Sequence, residues 1–425
     1  MKAINQWLAL LQHDASPTID ECVEVLGRLL PNLKLLKDTP QDREWHAEGD
    51  VHIHTGMVLD ECYQLLESEA KHIQGKQRQV LVLSALLHDI AKPFTTTERE
   101  FDDVIRTVSP KHEHKGRSYL AYRLMATDLP YEVINQVMAL VGEHILPKYL
   151  VIKNKDPSAY FQLARTVSME LVYWLEIADM KGRTCKDLEK QLALLEEFKM
   201  FAQEYGLWQV DSPYHEMAQP LMSQISERSP LAQQYIYHHA IHYFETGQIT
   251  MLEEAIGKTF DHAGNYANVV IMCGPSGSGK SSWIAKHLAD YVVVSLDDIR
   301  HTIGGDRANQ KNSGKVMQMA KEQLRISLRE KRNVVWDATN LRSDFRKIIA
   351  DLARDYHALV TLVVFQIDEA ELVRKDANRQ FSVGMKVLEK QLQGAQWPLL
   401  NEAHRYCIVD KNGEYLKQYG PFFRW

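Results

Sequence analysis

Gly274-Pro275-Ser276-Gly277-Ser278-Gly279-Lys280-Ser281 fits the pattern G-x-x-x-x-G-K-[ST], and its flanks decide how the carboxyl-terminal part of the chain folds. The apolar run Val269-Val270-Ile271-Met272-Cys273 before it predicts a buried parallel strand, and Ser281-Ser282-Trp283-Ile284-Ala285-Lys286 after it predicts the opening of a helix. In a strand-loop-helix setting, glycines let successive backbone N–H groups turn inward around phosphate oxygens, and the helix N-terminus adds a favourable dipole. Gly274, Pro275, Ser276, Gly277, Ser278, Gly279, Lys280, Ser281 and Ser282 are therefore the expected nucleotide-binding residues. Lys280 would reach the β and γ phosphates and Ser281 would ligate magnesium.

Outward from this loop, strands alternate with helices. Tyr291 to Ser295, Asn333 to Trp336, Val360 to Gln366 and Tyr406 to Val409 are the further expected strands, so residues 265–425 predict an α/β unit with a parallel sheet. Residues 1–205 are read as an all-α domain, with amphipathic stretches at Thr18 to Leu30, Met57 to Ser68, Gln79 to Ile90 and Leu163 to Met180. Residues 206–264 are read as a helical connector with no chemically legible motif.

The chain of 425 residues is 45% hydrophobic and 25% charged, an ordinary soluble composition with room for two or three cores. Its formal net charge of −6 argues against a broad nonspecific nucleic-acid surface but permits a local grip. The scattered Cys22, Cys62, Cys185, Cys273 and Cys407 form no C-x-x-C pair, so neither a disulfide framework nor a thiolate zinc site is expected. With no signal-peptide core and no apolar run of membrane-spanning length, the expectation is a cytoplasmic protein without a membrane partner.

A second constellation lies far upstream. His88-Asp89 closes the apolar helix Val80 to Leu87, where a charged pair is costly to bury without a compensating partner, and a metal ion is such a partner. His54 on a preceding helix and Asp179 on a later one would complete a set of two imidazoles and two carboxylates. Such a centre lowers the pKa of bound water and polarises a phosphoryl oxygen.

The order His54, His88-Asp89, His112, His144, Asp179 resembles the HD phosphohydrolase superfamily, and is most similar to the HD domain appended to some bacterial CCA-adding tRNA enzymes. The stretches Trp45-His46-Ala47-Glu48-Gly49-Asp50, His52-Ile53-His54-Thr55, Leu87-His88-Asp89-Ile90-Ala91-Lys92 and Ala178 to Thr184 carry that likeness. It implies that His54, His88, Asp89 and Asp179 are metal ligands, that His112 and His144 bind a second metal or the scissile phosphate, and that Lys92 contacts phosphate. His46, His52, His72 and His114 are expected at the surface or behind the ligands, and Glu113 is left open.

In the α/β unit, Leu296-Asp297-Asp298-Ile299-Arg300 follows the second expected strand. A carboxylate at that strand end is placed to accept a proton from an acceptor hydroxyl, and an arginine nearby is suited to hold a phosphate. The Asp-x-x-Arg spacing resembles polynucleotide 5′-kinases, which implies Asp297 as base, with Asp298 as the competing carboxylate, and Arg300 as clamp. Trp336-Asp337-Ala338-Thr339-Asn340 is similar to a segment of the same kinases, with Asp337 orienting magnesium and Arg342 or Arg346 either touching substrate or lying on a surface helix. Glu371 to Arg379 occupies the place of the lid, where Arg379 and one of Arg374 or Lys375 would face the γ phosphate. Lys375 stands where an arginine is usual.

The whole is similar to bacterial two-domain proteins that join an HD phosphohydrolase to a polynucleotide kinase and heal RNA or DNA ends. That likeness implies ATP or another NTP with Mg2+ at the kinase site, and Mn2+, Ni2+, Co2+ or Mg2+ at the HD site. The chain has no Lys-x-Asp-Gly motif, so sealing would need a separate ligase. Two other readings stand beside it: a kinase and phosphohydrolase for small molecules or signalling nucleotides, and an ATP-switched RNA-binding protein. RNA against DNA, and the oligomeric state, are left open.

Overall fold

The computed structural model describes residues 1–304, 313–379 and 381–425. The chain forms two compact units, Met1–Tyr214 and His215–Trp425. The connector segment 206–264 is divided between them, with 206–214 in the first unit and 215–264 in the second.

The first unit is helical. Thr18 starts the helix Ile19–Leu26 through a reciprocal box with Glu21, the Glu21 N–H donating to Thr18 Oγ1 at 3.3 Å and the Thr18 N–H to Glu21 Oε2 at 2.7 Å. Asp50 caps Val51–Glu67 and Ser168 caps Met169–Lys181, each by accepting an N–H of the first turn. The Ser168 cap explains why the expected continuous stretch Leu163 to Met180 is two helices, Pro157–Thr166 and Met169–Lys181, with Val167 extended between them. Gly75–Leu87 is buried along Arg78 to Leu87, as an apolar helix surrounded by others must be. Close approach has its own requirement at Gly182, where a Cβ would lie 2.8 Å from the Val58 backbone nitrogen. Only glycine lets the end of Met169–Lys181 reach Val51–Glu67, and that contact carries Asp179 toward His54.

One part of this unit departs from the all-α expectation. Strands β1 (Thr97–Phe101) and β2 (Val104–Val108) form an antiparallel hairpin. The turn falls at Asp102-Asp103, whose φ values of 48° and 63° suit the tight turn that two-residue hairpins prefer, and the β-branched Val104, Ile105, Thr107 and Val108 follow it.

The second unit holds a six-stranded sheet. Its strands are β3 (Asn268–Cys273), β4 (Val292–Ser295), β5 (Val334–Asp337), β6 (Leu359–Phe365), β7 (Arg405–Val409) and β8 (Tyr415–Tyr419), in the order β4-β5-β3-β6-β7-β8. All pairings are parallel except β7 with β8. The expected parallel sheet is present, and β8 adds an antiparallel edge. Strands β3, β6 and β7 are buried throughout, which is why they read as unbroken apolar runs. Helix Pro230–Glu245 belongs to this unit's core, with Tyr235 Oη donating to the His357 carbonyl at 2.9 Å and Gln234 Oε1 accepting from Arg405 at 3.1 Å. Because β4, β5 and β3 are parallel neighbours, their carboxyl ends open on one edge, where ligands bind in sheets of this kind. Among the described residues no helix is long and apolar enough to cross a membrane.

Candidate active sites

In the first unit the structure brings six of the expected side chains together. One group of potential ligand atoms is His54, His88 and Asp179, and an adjoining one is Asp89, His112 and His144. His54 Nε2 lies 3.0 Å from Asp179 Oδ1, and His88 Nε2 lies 3.2 Å from Asp89 Oδ2. Asp89 joins the groups, its Oδ1 standing 3.3 Å from His112 Nε2 and its Oδ2 3.7 Å from His54 Nε2.

The imidazole orientations say what the cluster holds. His88 Nδ1 meets the Ala85 carbonyl at 2.9 Å, His112 Nδ1 the Ser109 carbonyl at 2.8 Å, His144 Nδ1 the Val141 carbonyl at 2.9 Å, and His54 Nδ1 the Gly182 carbonyl at 3.2 Å. A carbonyl oxygen only accepts, so each Nδ1 carries a hydrogen and each Nε2 of a neutral ring is a lone pair. These lone pairs face one another, His54 to His88 at 3.4 Å and His112 to His144 at 3.2 Å. Converging lone pairs and carboxylates are a donor set for cations, and mixed imidazole and carboxylate ligation suits a divalent metal.

Electrostatics agree. Burial pushes His112 down to about 4 and His144 well below its ordinary value, keeping both rings neutral. Burial also works against ionised Asp89 and Asp179, yet His88 and Lys92 beside the first and Arg183 beside the second hold both well below the carboxylate range. At His88 burial is overcome by Asp89, which raises the ring's pKa above its ordinary value. Lys92, expected on phosphate, is 2.7 Å from Asp89 Oδ2 and donates to Gln41 Oε1 at 2.7 Å.

Two supporting residues, Glu48 and Arg183, have roles that only the folded chain reveals. Glu48 Oε1 lies 3.1 Å from His54 Nδ1 and 2.8 Å from His46 Nδ1, while its Oε2 accepts the Thr184 N–H at 2.9 Å. Glu48 thus fixes the ring whose other nitrogen faces the metal position, and the His46, Glu48 and His54 group is explained as this hydrogen-bond relay. Arg183 forks Asp179, one of its two bonds being Nε to Oδ1 at 3.1 Å. Such partners tune ligands by orientation and basicity, so Glu48→Gln is expected to weaken metal binding about 10- to 100-fold. Calorimetric titration of metal-free protein reads this, with circular dichroism unchanged.

The remaining histidines behave as expected of peripheral groups: His52 lies 3.1 Å from Asp20 and His72 2.8 Å from Glu170. His46 is buried behind His54, their ring centroids 4.8 Å apart. Glu113 is 3.5 Å from His112 Nδ1. Glu176, one turn before Asp179, is pushed by burial up to about 7, with Lys148 3.2 Å away opposing the shift.

In the second unit β3 delivers Gly274 to Ser281, and the helix Lys280–His287 begins at the loop's end. Gly277 has φ of 79° and an added Cβ would stand 3.3 Å from the Asp376 backbone nitrogen, so glycine serves both the turn and the close approach of the helix Glu369–Ala377. Lys280 Nζ donates to the Gly274 and Pro275 carbonyls at 2.9 and 2.8 Å and to Ser278 Oγ at 3.3 Å, curling back over the loop. The Ser276 N–H is held by Gln391 Oε1 at 2.9 Å, a partner that no local motif announces. Gly279 has φ of 97°, and Ser281 and Ser282 open the helix at the surface. Ser281 Oγ donates to Asp337 Oδ2 at 3.3 Å, bringing together a hydroxyl and a carboxylate of the kinds that hold Mg2+ in phosphate-loop enzymes.

Asp297 and Arg300 follow β4, where Ser295 is in register with Asp337 of β5. They form an ion pair, with the Asp297 side chain 60% exposed and Arg300 17% exposed, so the carboxylate faces solvent from an anchored partner. Ser295 Oγ accepts the Asp298 N–H at 3.2 Å, so the serine satisfies a donor of that helix's first turn. Burial lowers the Lys280 ammonium, Asp337 and Asp297 oppose that, and Arg379 reinforces it, so these four charges share one neighbourhood. Burial raises the Asp337 carboxyl, with Lys280 opposing.

The helix Glu369–Ala377, expected to serve as a lid, places its cations on different partners. Arg374 forks Glu371 at 2.7 and 2.6 Å, and Lys375 Nζ donates to the Lys411 carbonyl. Arg379 is 3.7 Å from Asp376, which is itself held by Ser382 and the Val383 and Gly384 N–H groups.

Arg346 corrects the sequence expectation. It is buried, forks Glu402 at 2.6 and 2.9 Å and donates to the Asn340 carbonyl at 2.9 Å, so it neither touches substrate nor lies on the surface. Removing one partner of a buried ion pair strands the other, so Arg346→Ala is expected to cost about 3–5 kcal/mol in denaturant unfolding. Arg342 is exposed and pairs with Asp344 at 3.1 and 2.6 Å.

Comparison with family models matches residues 51–167 to the HD domain family and residues 269–398 to an AAA domain family. The first span contains His54, His88, Asp89, Lys92, His112 and His144 but ends before Asp179 and Arg183; the second contains the phosphate loop, Asp297, Arg300, Asp337, Arg374, Lys375 and Arg379.

Proposed function

Because the chain joins an HD domain of phosphohydrolase type to a phosphate-loop kinase-like domain, we propose that it heals nucleic-acid ends. The kinase site phosphorylates a 5′-OH, and the HD site removes a 2′ or 3′ phosphate or opens a 2′,3′-cyclic phosphate. The observation that carries this choice is the Asp297–Arg300 pair on the edge shared by the phosphate loop and Asp337. A carboxylate there accepts the hydroxyl proton as the oxygen attacks the γ phosphorus, and the bond to the β-phosphate oxygen breaks to release nucleoside diphosphate. An arginine beside it is suited to a phosphate next to the reacting hydroxyl, which a polynucleotide supplies and a simple alcohol lacks.

Ser281 and Asp337 would hold Mg2+ with the triphosphate, while Lys280 and Arg379 offset charge on the transferring group. At the HD site His54, His88, Asp89 and Asp179, with His112 and His144, would hold one or two divalent ions; Mn2+, Ni2+ and Co2+ suit the mixed donor set, and Mg2+ is the harder alternative. Bound there, a metal would acidify water and polarise the phosphoryl oxygen. Lys92 positions Asp89. The location proposed is the cytoplasm, with RNA or DNA ends as partners and a separate ligase to seal them.

The acceptor class is tested by phosphate transfer from γ-labelled triphosphate to a 5′-OH oligonucleotide and to a free nucleoside. The oligonucleotide is expected to be the better acceptor, and Arg300→Ala to erase most of that preference. Equal use of both by the unaltered protein would refute the polynucleotide assignment.

A further inference from the structure

The hairpin β1–β2 leaves the first unit between two site residues, beginning just after Lys92–Thr95 and ending just before His112. Its base is closed by Thr96 Oγ1 and Ser109 Oγ at 2.7 Å, and the Ser109 carbonyl also holds His112 Nδ1.

The two faces of the hairpin are chemically opposite. Arg99 pairs directly with Arg106, and Phe101 with Val104, so these four side chains share one face. Glu98 and Glu100, paired with Thr107 and the exposed Ile105, alternate onto the other face, and Asp102 and Asp103 occupy the turn. Like charges directly across a strand pair are unfavourable, so the Arg99–Arg106 pairing is a cost without an anion to bridge it. Asp42 and Glu44 meet part of that need at Arg106, whose Nη1 is 3.2 Å from Asp42 Oδ1. Arg99 is exposed and makes no ion pair among the described residues.

Arg106 is also stacked over Trp45, its guanidinium carbon 5.3 Å from the ring centroid. Trp45 is 47% exposed, and Phe101 at the hairpin tip is 50% exposed. Trp45 immediately precedes His46, whose ring lies against that of His54. A cation and two exposed aromatic faces, rooted at a phosphohydrolase metal cluster, form the combination that single-stranded nucleic acid recognises: a charge for the backbone and rings for the bases.

We propose that Trp45, Arg99, Phe101 and Arg106 form a docking face for the single-stranded nucleotides leading to the phosphate-bearing end. Arg99 meets a backbone phosphate, Trp45 backed by Arg106 stacks one base, and Phe101 stacks another. The acidic opposite face repels the strand and so fixes its side. This rests on the end-healing function proposed above and adds where that substrate lies.

The test is phosphate release from an oligonucleotide with phosphate at both its 5′ and 3′ ends, compared with release from glycerol 2-phosphate under the same metal. The 5′ phosphate leaves the kinase site without an acceptor hydroxyl. Trp45→Ala combined with Arg99→Ala is expected to lower kcat/KM for the oligonucleotide about tenfold through KM, with glycerol 2-phosphate unaffected. Glu98→Gln, on the opposite face, should not weaken use of the oligonucleotide. Equal loss on both substrates, or loss on neither, overturns the docking face while leaving the end-healing assignment standing. If the unaltered protein shows no preference for the oligonucleotide, that assignment fails instead, and the docking face with it.

Discussion

Replacing Asp89 with alanine is expected to lower phosphate release from a 3′-phosphorylated oligonucleotide by about a thousandfold or more, with transfer to 5′-OH ends unchanged. A metal's stabilisation of transition-state charge amounts to several kcal/mol, and each 1.36 kcal/mol is tenfold in rate. Asp89 is the position to choose because its two oxygens face different groups, Oδ2 toward His88 at 3.2 Å and Oδ1 toward His112 at 3.3 Å. Its loss should therefore empty both candidate positions, whereas loss of His144 would touch one. Metal content after dialysis is the companion measurement and should fall in parallel. Alanine also strips Lys92 of a partner 2.7 Å away, so Asp89→Asn is the check on folding. It keeps the side chain's shape, should unfold at nearly the same temperature, and should still lose activity. Retention of phosphate release by both variants would mean that the cluster is not the hydrolytic site.

The reciprocal expectation concerns Lys280. Lys280→Ala should reduce phosphate transfer to a 5′-OH end by about a hundred- to a thousandfold, the effect typical of removing one preorganised donor from a developing oxyanion. Phosphate release from 3′ ends should be unchanged, since His215–Trp425 is a compact unit of its own. Asp297→Asn should cost a similar factor by a different route, loss of proton acceptance, which is typically worth about a hundred- to ten-thousandfold. The two are separable by triphosphate binding: Lys280→Ala weakens it, whereas Asp297→Asn, with its exposed side chain paired to Arg300, leaves it nearly intact. Persistent transfer in Lys280→Ala would remove the phosphate loop from the reaction.

What the sequence disclosed and what it hid divide along physical lines. The phosphate loop was legible because its function depends on backbone shape over eight consecutive residues, and only a few residue types allow that shape. Strands β3, β6 and β7 were legible because burial on both faces leaves an unbroken apolar run. The antiparallel edge β8 was not, since it has an exposed and half-exposed pattern without apolar contrast. Hairpin β1–β2 was missed for the same reason, its first strand being exposed along its whole length.

The gathering of His54, His88, Asp89, His112, His144 and Asp179 was legible as a set of residue types, because an imidazole and a carboxylate at the end of an apolar helix require a partner. The partners of its ligands were not. Glu48 contacts His54 through a fold in the chain, and its Thr184 bond spans 136 positions. Arg346 shows the opposite error: an arginine near a kinase motif suggested substrate, while its carboxylate, Glu402, lay 56 positions away. Spacing reveals short-range geometry, and long-range pairing appears only in the folded chain.

The central claim, that one chain restores both termini of a broken strand, is tested most directly by a single RNA and a single DNA oligomer bearing 5′-OH and 3′-phosphate. Each is incubated with purified protein, γ-labelled triphosphate, Mg2+ and Mn2+, and both ends are followed over time. Gain of label at the 5′ end together with loss of the 3′ phosphate, on at least one of the two, is the expected result. If no label reaches a 5′ end with any triphosphate or divalent metal, while a small alcohol or a free nucleotide is processed, the end-healing account is contradicted.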